Sequence, residues 1–337
     1  MTKRKRSARR ILLASLYFLA VSAVSLIVLE VAARKIGLGD PIIYYNAAWG
    51  GMRPLPGQKV TRVNGATVTV DSNGFRTNHR RSDNAVRVLY LGDSVTWGGS
   101  AIDDSLLFSE ISANVLRATG REVYSMNAGV NGTGLANQAD IFASLQDSTD
   151  VLVWLFPWAD TKRSYTTVSF LWPPTQKPRF ALVEAVDHIV REQWLGRFRV
   201  ATEQQSDEYI NSSTPDGYED FFASVIRERE RRNISAFHAG IRSAIALEIP
   251  IIVGITPVQD DGTMAEHSAD AIALIDSVST LGVHVLDIRK ALQDGGTGAE
   301  RAYIDKLHFS STGHSLVGRA LGAELVRVMG DTGSEAP

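Results

Sequence analysis

From residue 86 onward, the hydrophobic and polar positions alternate between two kinds of segment. Short apolar runs typical of buried strands are followed by longer stretches with apolar residues at helical spacing. Strands are predicted at Val86–Leu91, Glu122–Met126, Val151–Phe156, Pro250–Ile255 and Val283–Ile288. Helices are predicted at Ser105–Thr119, Leu135–Gln146, Tyr218–Leu247 (in whole or in part), Glu266–Leu281 and Gly313–Met329. This alternation predicts an α/β fold, with a five-stranded parallel sheet between two layers of helices and right-handed crossovers.

The amino-terminal segment has a different pattern. Six Lys and Arg residues lie within residues 3–10, and residues 11–29 carry no charge. Nineteen helical residues extend about 29 Å, close to the thickness of a bilayer core. We predict a cytoplasmic basic segment (residues 1–10), one transmembrane anchor (residues 11–33) and a periplasmic or extracellular remainder. The alternative is a cleaved signal peptide. The apolar run is long for such a signal, and Val31-Ala32-Ala33 is only a loose cleavage site.

Two further segments lack the strand and helix alternation of the predicted α/β domain, which covers residues 86–330. Residues 34–85 form a lead-in rich in turn signals, with a hairpin predicted at Asn64-Gly65. Residues 157–217, with a helix predicted near residues 180–194, are an insertion much longer than a usual strand-to-helix connection. Because the insertion follows the carboxyl end of the third predicted strand, we expect it to overhang Ser94 as a cap or substrate wall. Its aromatic residues argue against disorder. Residues 331–337 are predicted to be a frayed tail.

Charge and composition exclude several classes of function. Residues 1–35 carry eight basic residues and one acidic residue, whereas the remainder carries 27 basic and 36 acidic residues. A globular part with such an acidic balance is a poor partner for nucleic acid, and we expect none. The chain contains no cysteine, which excludes disulfides and thiol catalysis. Because its seven histidines lack zinc-site spacing, no metal is expected, and no cofactor is predicted.

The candidate catalytic residues lie at two places far apart in the chain. Ser94 follows the first predicted strand, at the sheet edge where α/β folds bind ligands. Asp305 and His308 lie three residues apart, just before the final predicted helix. A serine nucleophile needs a base, and the base needs an orienting acid. We therefore predict Ser94 as nucleophile, His308 as general base and Asp305 as orienting acid. The alternatives are a helix N-cap for Ser94 and plain surface roles for the other two.

These motifs resemble those of the SGNH hydrolases, also called GDSL esterases and lipases, and in particular their membrane-anchored members. Gly92–Ser94 is similar to the nucleophile block of that family, Asn127–Gly132 to its second block, and Asp305–His308 to its closing D-x-x-H block. The resemblance covers about residues 70 to 330. It implies a three-layer α/β/α fold with a flavodoxin-like strand order. It also implies an oxyanion hole formed by the backbone N–H groups of Ser94 and Gly132.

The third block departs from the family pattern Gly-x-Asn-Asp. Ala159 stands where the asparagine is expected, and alanine cannot donate a hydrogen bond. Losing one oxyanion donor typically costs about 3 to 4 kcal/mol of transition-state stabilisation. The indole N–H of Trp158 is a candidate replacement; weak or altered activity is the alternative. Trp158, Asp160 and Trp97 are candidate substrate-binding residues, with packing or helix capping as the alternative. Asp71–Arg76 resembles a segment that precedes the nucleophile in anchored members, or is simply a tight turn.

Together these features predict an extracytoplasmic serine esterase. Its substrate would be an O-acyl ester, with O-acetyl as the first candidate, of a cell-envelope carbohydrate or lipid. One alternative is an O-acyltransferase that modifies a surface polysaccharide. The other is a non-catalytic glycan-binding module, which Ala159 favours and the set of Ser94, Asp305 and His308 disfavours.

Overall fold

The computed structural model describes residues 3–47, 51–163, 174–190, 218–260, 262–296 and 298–331. The chain divides into two compact units. The first comprises residues 1–41, 61–65 and 177–212, and the second comprises residues 42–60, 66–176 and 213–337.

The helices and strands follow the predicted alternation. The described helices are α1 (Lys3–Lys35), α2 (Ser94–Trp97), α3 (Phe108–Arg117), α4 (Leu135–Leu145), α5 (Ala181–Ile189), α6 (Tyr218–Ala246), α7 (Ala269–Ser279), α8 (Ile288–Asp294), α9 (Ala299–Ala302) and α10 (Ser311–Asp331). The described strands are β1 (Tyr44–Asn46), β2 (Met52–Pro54), β3 (Gln58–Thr61), β4 (Thr67–Val70), β5 (Val86–Leu91), β6 (Val123–Asn127), β7 (Val151–Pro157), β8 (Ile251–Thr256), β9 (Gln259–Asp260), β10 (Thr263–Met264) and β11 (His284–Val285).

The central sheet has five strands in the order β11-β8-β7-β5-β6, and all its neighbouring pairs are parallel. Numbered along the chain within this sheet, the strands run 2-1-3-4-5, which is the flavodoxin-like order. The predicted fold class is therefore confirmed. In this order the carboxyl ends of β5, β6 and β7 lie side by side at one edge.

Helices cover both faces of the sheet because the strand residues are apolar on both sides. Along β7, Leu152, Trp154 and Phe156 pack in one core cluster, which includes side chains of α4 and α6. The alternate residues Val151, Val153 and Leu155 pack in a second cluster, which includes side chains of α3 and α10. Every residue of β7 is buried. Such continuous burial is typical of a parallel sheet covered on both faces.

Several predicted boundaries differ from the structure, and two of the differences have a clear local cause. The fifth strand was predicted over residues 283–288, but β11 contains only His284 and Val285. The chain turns into α8 because Asp287 accepts a hydrogen bond from the N–H of Lys290 and so caps a helix. The helix predicted from Ser105 begins at Phe108, because residues 104–106 form a separate 3₁₀ turn.

The lead-in forms two small sheets of its own. β1 pairs with β2 and β3 with β4, the latter pair flanking the predicted turn at Asn64-Gly65. Asn64 has a φ of 62°, in the left-handed region that a tight turn requires. Apolar residues of the lead-in form a cluster around Trp97, with members Ile42, Tyr44, Val60, Val68 and Val70.

The first unit contains the predicted anchor and part of the insertion. Residues 10–35 of α1 are apolar and long enough to cross a membrane, a property that signal sequences share. Helix α5 confirms a helical segment in the insertion, and the rest of the predicted helix lies outside the described residues. That the insertion forms a cap over Ser94 stays a prediction.

Candidate active site

Ser94 lies on a sharp turn between β5 and α2. The turn depends on Gly92, whose φ is 155° and where an added Cβ would lie 2.1 Å from Oγ1 of Thr96 and 2.2 Å from the carbonyl oxygen of Leu155. Asp93 is the N-cap of α2, because its side chain accepts a hydrogen bond from the N–H of Val95. Ser94 is therefore the first residue of the helix, and the N-cap alternative for it is wrong.

Ser94, His308 and Asp305 form a continuous chain of hydrogen bonds. Oγ of Ser94 lies 2.8 Å from Nε2 of His308, and Nδ1 of His308 lies 2.7 Å from Oδ2 of Asp305. An ionised carboxylate can only accept, so Nδ1 carries the imidazole proton and Nε2 accepts the proton of the serine hydroxyl. A second acceptor for that hydroxyl, Oδ2 of Asp93, is more distant at 3.2 Å. The geometry is that required of a base that removes the serine proton.

The loop that carries Asp305 and His308 is held by its own backbone hydrogen bonds. Oδ1 of Asp305 accepts from the N–H groups of Leu307 at 2.8 Å and His308 at 2.7 Å. The N–H of Ile304 donates to the carbonyl of His308 at 2.8 Å, which closes the loop. Burial acts to raise the pKa of Asp305, but the hydrogen bonds from the backbone and ring of His308 and from Leu307 hold it below its usual value. Asp305 is therefore ionised at neutral pH.

The loop after β6 brings Gly132 to the same edge of the sheet. Asn127 braces this loop, accepting from the N–H of Gly129 at 3.0 Å and donating to the carbonyl of Thr96 at 2.7 Å. Gly132 has a φ of 73°, in the left-handed region. Within the described residues, the N–H groups of Ser94 and Gly132 donate to no other group. Both donors are thus available to a ligand oxygen.

The turn after β7 adds a charged residue that the sequence analysis did not identify. Nη1 of Arg163 lies 2.6 Å from Oδ2 of Asp93 and 2.6 Å from Oδ1 of Asp160. The side chain of Gln138 donates to the other oxygen of Asp160 at 2.7 Å. Burial and the nearby charge of Asp93 raise the pKa of Asp160 well above its usual value, although Arg163 and Gln138 act against this. The three-residue spacing of Asp160 and Arg163 was the available sequence signal.

The candidate substrate-binding residues are not equally accessible. Trp97 is 1% exposed and packs beside Tyr44 in the lead-in cluster, which does not support stacking on a substrate. Asp160 is fully buried, and its oxygens are occupied by Arg163 and Gln138. Trp158 is half-buried against the core, while Ala159 beside it is exposed. In the described part of the chain, no group of three His, Asp or Glu side chains could hold a metal ion.

Arg76 supports the turn that carries Ser94. Its side chain is fully buried and donates to the carboxylate of Asp104 and to the carbonyls of Trp97, Gly99 and Ile102. Asp71–Arg76 is also a tight turn, because Oδ1 of Asp71 accepts from the N–H groups of two of its residues. Arg76, at the end of this segment, therefore holds the loop that follows the nucleophile.

No family model matches this chain, and no curated protein matches it.

Several solved structures match this chain in fold. One is a two-domain esterase active on acetylated mannans (13% identity, TM-score 0.43), where the match covers 75% of this chain and 52% of that one, about half its length. Another is a variant of an acetyl-xylooligosaccharide esterase from Geobacillus (13% identity, TM-score 0.42; 74% and 97% covered). A third is a member of the lipolytic G-D-S-L family from Veillonella parvula (11% identity, TM-score 0.37; 72% and 100% covered). In fold, the chain is similar to esterases and to a member of the G-D-S-L family, the family that its motifs resemble.

Proposed function

We propose that this chain is a serine ester hydrolase. The observation that carries the proposal is the hydrogen-bonded series Ser94–His308–Asp305, with distances of 2.8 and 2.7 Å, at the carboxyl edge of a parallel sheet. A hydroxyl, an imidazole and a carboxylate in this order are the groups required for acyl transfer through a covalent intermediate.

In the proposed mechanism, Oγ of Ser94 attacks the ester carbonyl carbon while Nε2 of His308 takes the hydroxyl proton. The N–H groups of Ser94 and Gly132 donate to the oxyanion of the tetrahedral intermediate. The intermediate collapses as His308 gives its proton to the departing alcohol oxygen, which leaves an acyl-serine. Water then attacks the acyl carbon, giving its proton to His308, and the acid is released as Ser94 regains a proton. Asp305 holds the proton on Nδ1 and stabilises the imidazolium formed in each step.

The oxyanion hole would contain two donors. Ala159 contributes none, and a site lacking one donor is disfavoured by about 3 to 4 kcal/mol relative to a complete one. Arg163 does not replace the asparagine in kind, because its Nη1 is engaged with Asp93 and Asp160. Its proposed part is positional: it holds Asp93, the N-cap that orients the first turn of α2 and Ser94 with it.

The proposed substrate is an O-acyl ester, with O-acetyl as the first candidate, of a cell-envelope carbohydrate or lipid. The proposed place is outside the cytoplasm, with α1 as an uncleaved anchor. Glu30 supports retention of the anchor: it lies before the loose cleavage site at residues 31–33, and its carboxylate accepts hydrogen bonds from the N–H groups of Ala181 and Leu182. Cleavage would remove these contacts.

The test is hydrolysis of p-nitrophenyl acetate by the full-length chain in detergent. We expect Ser94→Ala to abolish turnover, with losses on the order of 10⁶-fold for an intact serine triad. Ser279→Ala, at an exposed helix end, is the matched control and should keep full activity. Turnover that survives Ser94→Ala would exclude the mechanism. An acyl-Ser94 that is lost only when a sugar acceptor is added would indicate an O-acyltransferase. An inert protein would indicate either a glycan-binding module or an acyltransferase that needs its own donor.

A further inference from the structure

Helix α5 has an exposed apolar side. Val183, Val186 and Ile189 of the helix, with Phe180 and Val190 at its two ends, are between 45% and 59% exposed. Their spacing of three or four residues places most of them along one side of the helix. Soluble surfaces rarely carry contiguous apolar patches of this kind, and such patches mark a site of contact with a partner or a lipid surface.

The opposite side of α5 is fixed to the carboxyl end of α1. Ala181 is fully buried. A Cβ added to Gly39 would lie 2.8 Å from the Cβ of Ala181, so the start of α5 packs closely on the residues that follow α1. Glu30 of α1 accepts hydrogen bonds from the N–H of Ala181 at 2.9 Å and of Leu182 at 3.0 Å. It thereby satisfies N–H groups of the first turn of α5 that have no partner inside the helix.

A second set of polar contacts holds the next turn of α5 to the segment after α1. The carboxylate of Glu184 accepts from the N–H of Gly39 at 2.6 Å and pairs with the guanidinium of Arg62. Both charged side chains of that pair are at most 15% exposed. Helix α5 is therefore held at the end of α1 by backbone donors, by an ion pair and by close packing.

These contacts fix the position of α5 along the axis of α1, the proposed anchor, at its carboxyl end. Glu30 is the first charged residue after the uncharged stretch of residues 11–29, so it marks the level where lipid hydrocarbon would give way to headgroups. Exposed basic side chains lie close to Glu30: Arg34, which pairs with it, Lys35 next in the chain, and Arg179, whose carbonyl accepts from Arg34. Cations at this level suit the negative surface of a bilayer that contains anionic lipids.

We propose that α5 is a membrane-interface helix whose apolar side lies in the lipid at the outer end of α1. The occupant is lipid because the apolar surface of α5 continues that of α1, whose large apolar residues are 45% to 74% exposed over residues 11–31. Helices with one apolar side and one charged side lie in the interface plane, and here the cations flank α5, whose own charged residues are Glu184 and Asp187. The chain would then contact the bilayer through two elements, one spanning and one lying on it.

The absence of cysteine in the chain makes a direct test possible. In the full-length chain, Val186→Cys is labelled with an environment-sensitive fluorophore, and the protein is placed in nanodiscs of phosphatidylcholine and phosphatidylglycerol. Quenching by a nitroxide on the lipid acyl chain is compared with quenching by aqueous iodide. We expect the label to be quenched at least about twofold more by lipid nitroxide than the same label at an exposed helical position elsewhere, Ala273→Cys.

Controls separate the other outcomes. Leu19→Cys, in the middle of α1, should be quenched by lipid nitroxide and shielded from iodide if α1 spans the bilayer. Ester hydrolysis by Val186→Cys at the unmodified rate would show that the variant is folded. A Val186 label as open to iodide as the Ala273 label would overturn the proposal. So would a label shielded from both quenchers, which would indicate a second copy or another protein on this face. A Leu19 label without lipid contact would remove the anchor and the proposal with it.

Discussion

Arg163 and Asp93 form an ion pair beside Ser94, with Nη1 2.6 Å from Oδ2. The carboxylate of Asp93 is fully buried and caps the helix on which Ser94 lies, whereas the arginine is 22% exposed. Removing one partner of a buried pair is costly because the other charge is left without compensation. Arg163, which belongs to none of the recognised motifs, therefore helps to fix the position of Ser94 through Asp93.

We expect Arg163→Gln to lower kcat/KM for p-nitrophenyl acetate at least tenfold and the free energy of unfolding by about 3 kcal/mol. Arg163→Lys, which keeps the charge, should recover part of both. The control is Arg319→Gln, at an exposed arginine whose side chain contacts Ser315. Steady-state kinetics and urea denaturation measure the two quantities. Unchanged kcat/KM in Arg163→Gln would show that Asp93 is held without it.

Replacing Asp305 by asparagine should disable the base while preserving its surroundings. A carboxamide can donate to Nδ1 of His308, and this favours the tautomer whose Nε2 carries the proton and cannot accept it from Ser94. We expect kcat to fall about 10⁴-fold. Asp260→Asn, at an exposed acid paired with Lys306, is the matched control and should leave kcat unchanged. A loss smaller than tenfold would mean that Asp305 does not orient the imidazole.

Gly129 and Gly330 should respond to alanine in opposite directions. A Cβ at Gly129 would lie 2.4 Å from the backbone nitrogen of Trp97, so the loop would have to move away from α2. Overpacking of this kind typically costs about 1 to 3 kcal/mol, and here it would also displace the loop that carries Gly132. A Cβ at Gly330, near the end of α10, would meet nothing within 4 Å. Gly330→Ala should raise stability by up to about 1 kcal/mol. Urea denaturation of the two variants would show whether the signs differ.

His314 should make the protein sensitive to acid. It is 1% exposed, and burial, with the charges of Arg76 and His308, lowers its pKa to about 3. Between pH 6.5 and about 3, the unfolded chain binds a proton at this residue and the folded chain does not. The free energy of unfolding therefore falls by about 1.4 kcal/mol for each pH unit lost.

His314→Gln removes this proton uptake but retains an acceptor for the N–H of Phe108, which lies 3.3 Å from Nδ1. We expect the variant to lose stability less steeply than the parent protein between pH 6 and pH 4, by about 1.4 kcal/mol per unit. Urea denaturation at several pH values measures the two slopes. All other titrating groups are common to both proteins, so parallel slopes would contradict the buried neutral state of His314.

The sequence predicted most of the sheet well because its first, third and fourth strands are mainly apolar runs between turn residues. Val86–Leu91 has the predicted bounds, and β7 extends the predicted third strand by one residue, to Pro157. The three residues Ser94, Asp305 and His308 could be grouped because they lie in short recognisable motifs. Their mutual distances of 2.7 and 2.8 Å are then a consequence of the strand order, which brings the sheet edge and the final loop together.

Features that depend on packing between distant segments could not be predicted. Trp97 was a candidate for substrate binding, but the lead-in residues Tyr44 and Val68 pack with it and bury it. Arg163 carries no motif, and its role depends on a turn that aims its side chain at Asp93. The contact of Glu30 with the first turn of α5 joins residues 151 positions apart in the chain. Local periodicity contains no information about such pairs.

Ser94 and His308 are 214 residues apart, and the last strand of the sheet ends at Val285, before either member of the His–Asp pair. During translation, every strand of the sheet is therefore synthesised before the proposed hydrolase has its catalytic base. The nucleophile acquires its base only when residues 305–308 have emerged and closed their loop. Contacts between residues this distant in sequence form late and slowly. A chain that ends before residue 305 lacks the His–Asp pair and also α10, whose side chains pack in the second core cluster, so it would release no acyl groups and turnover would be a readout of complete synthesis.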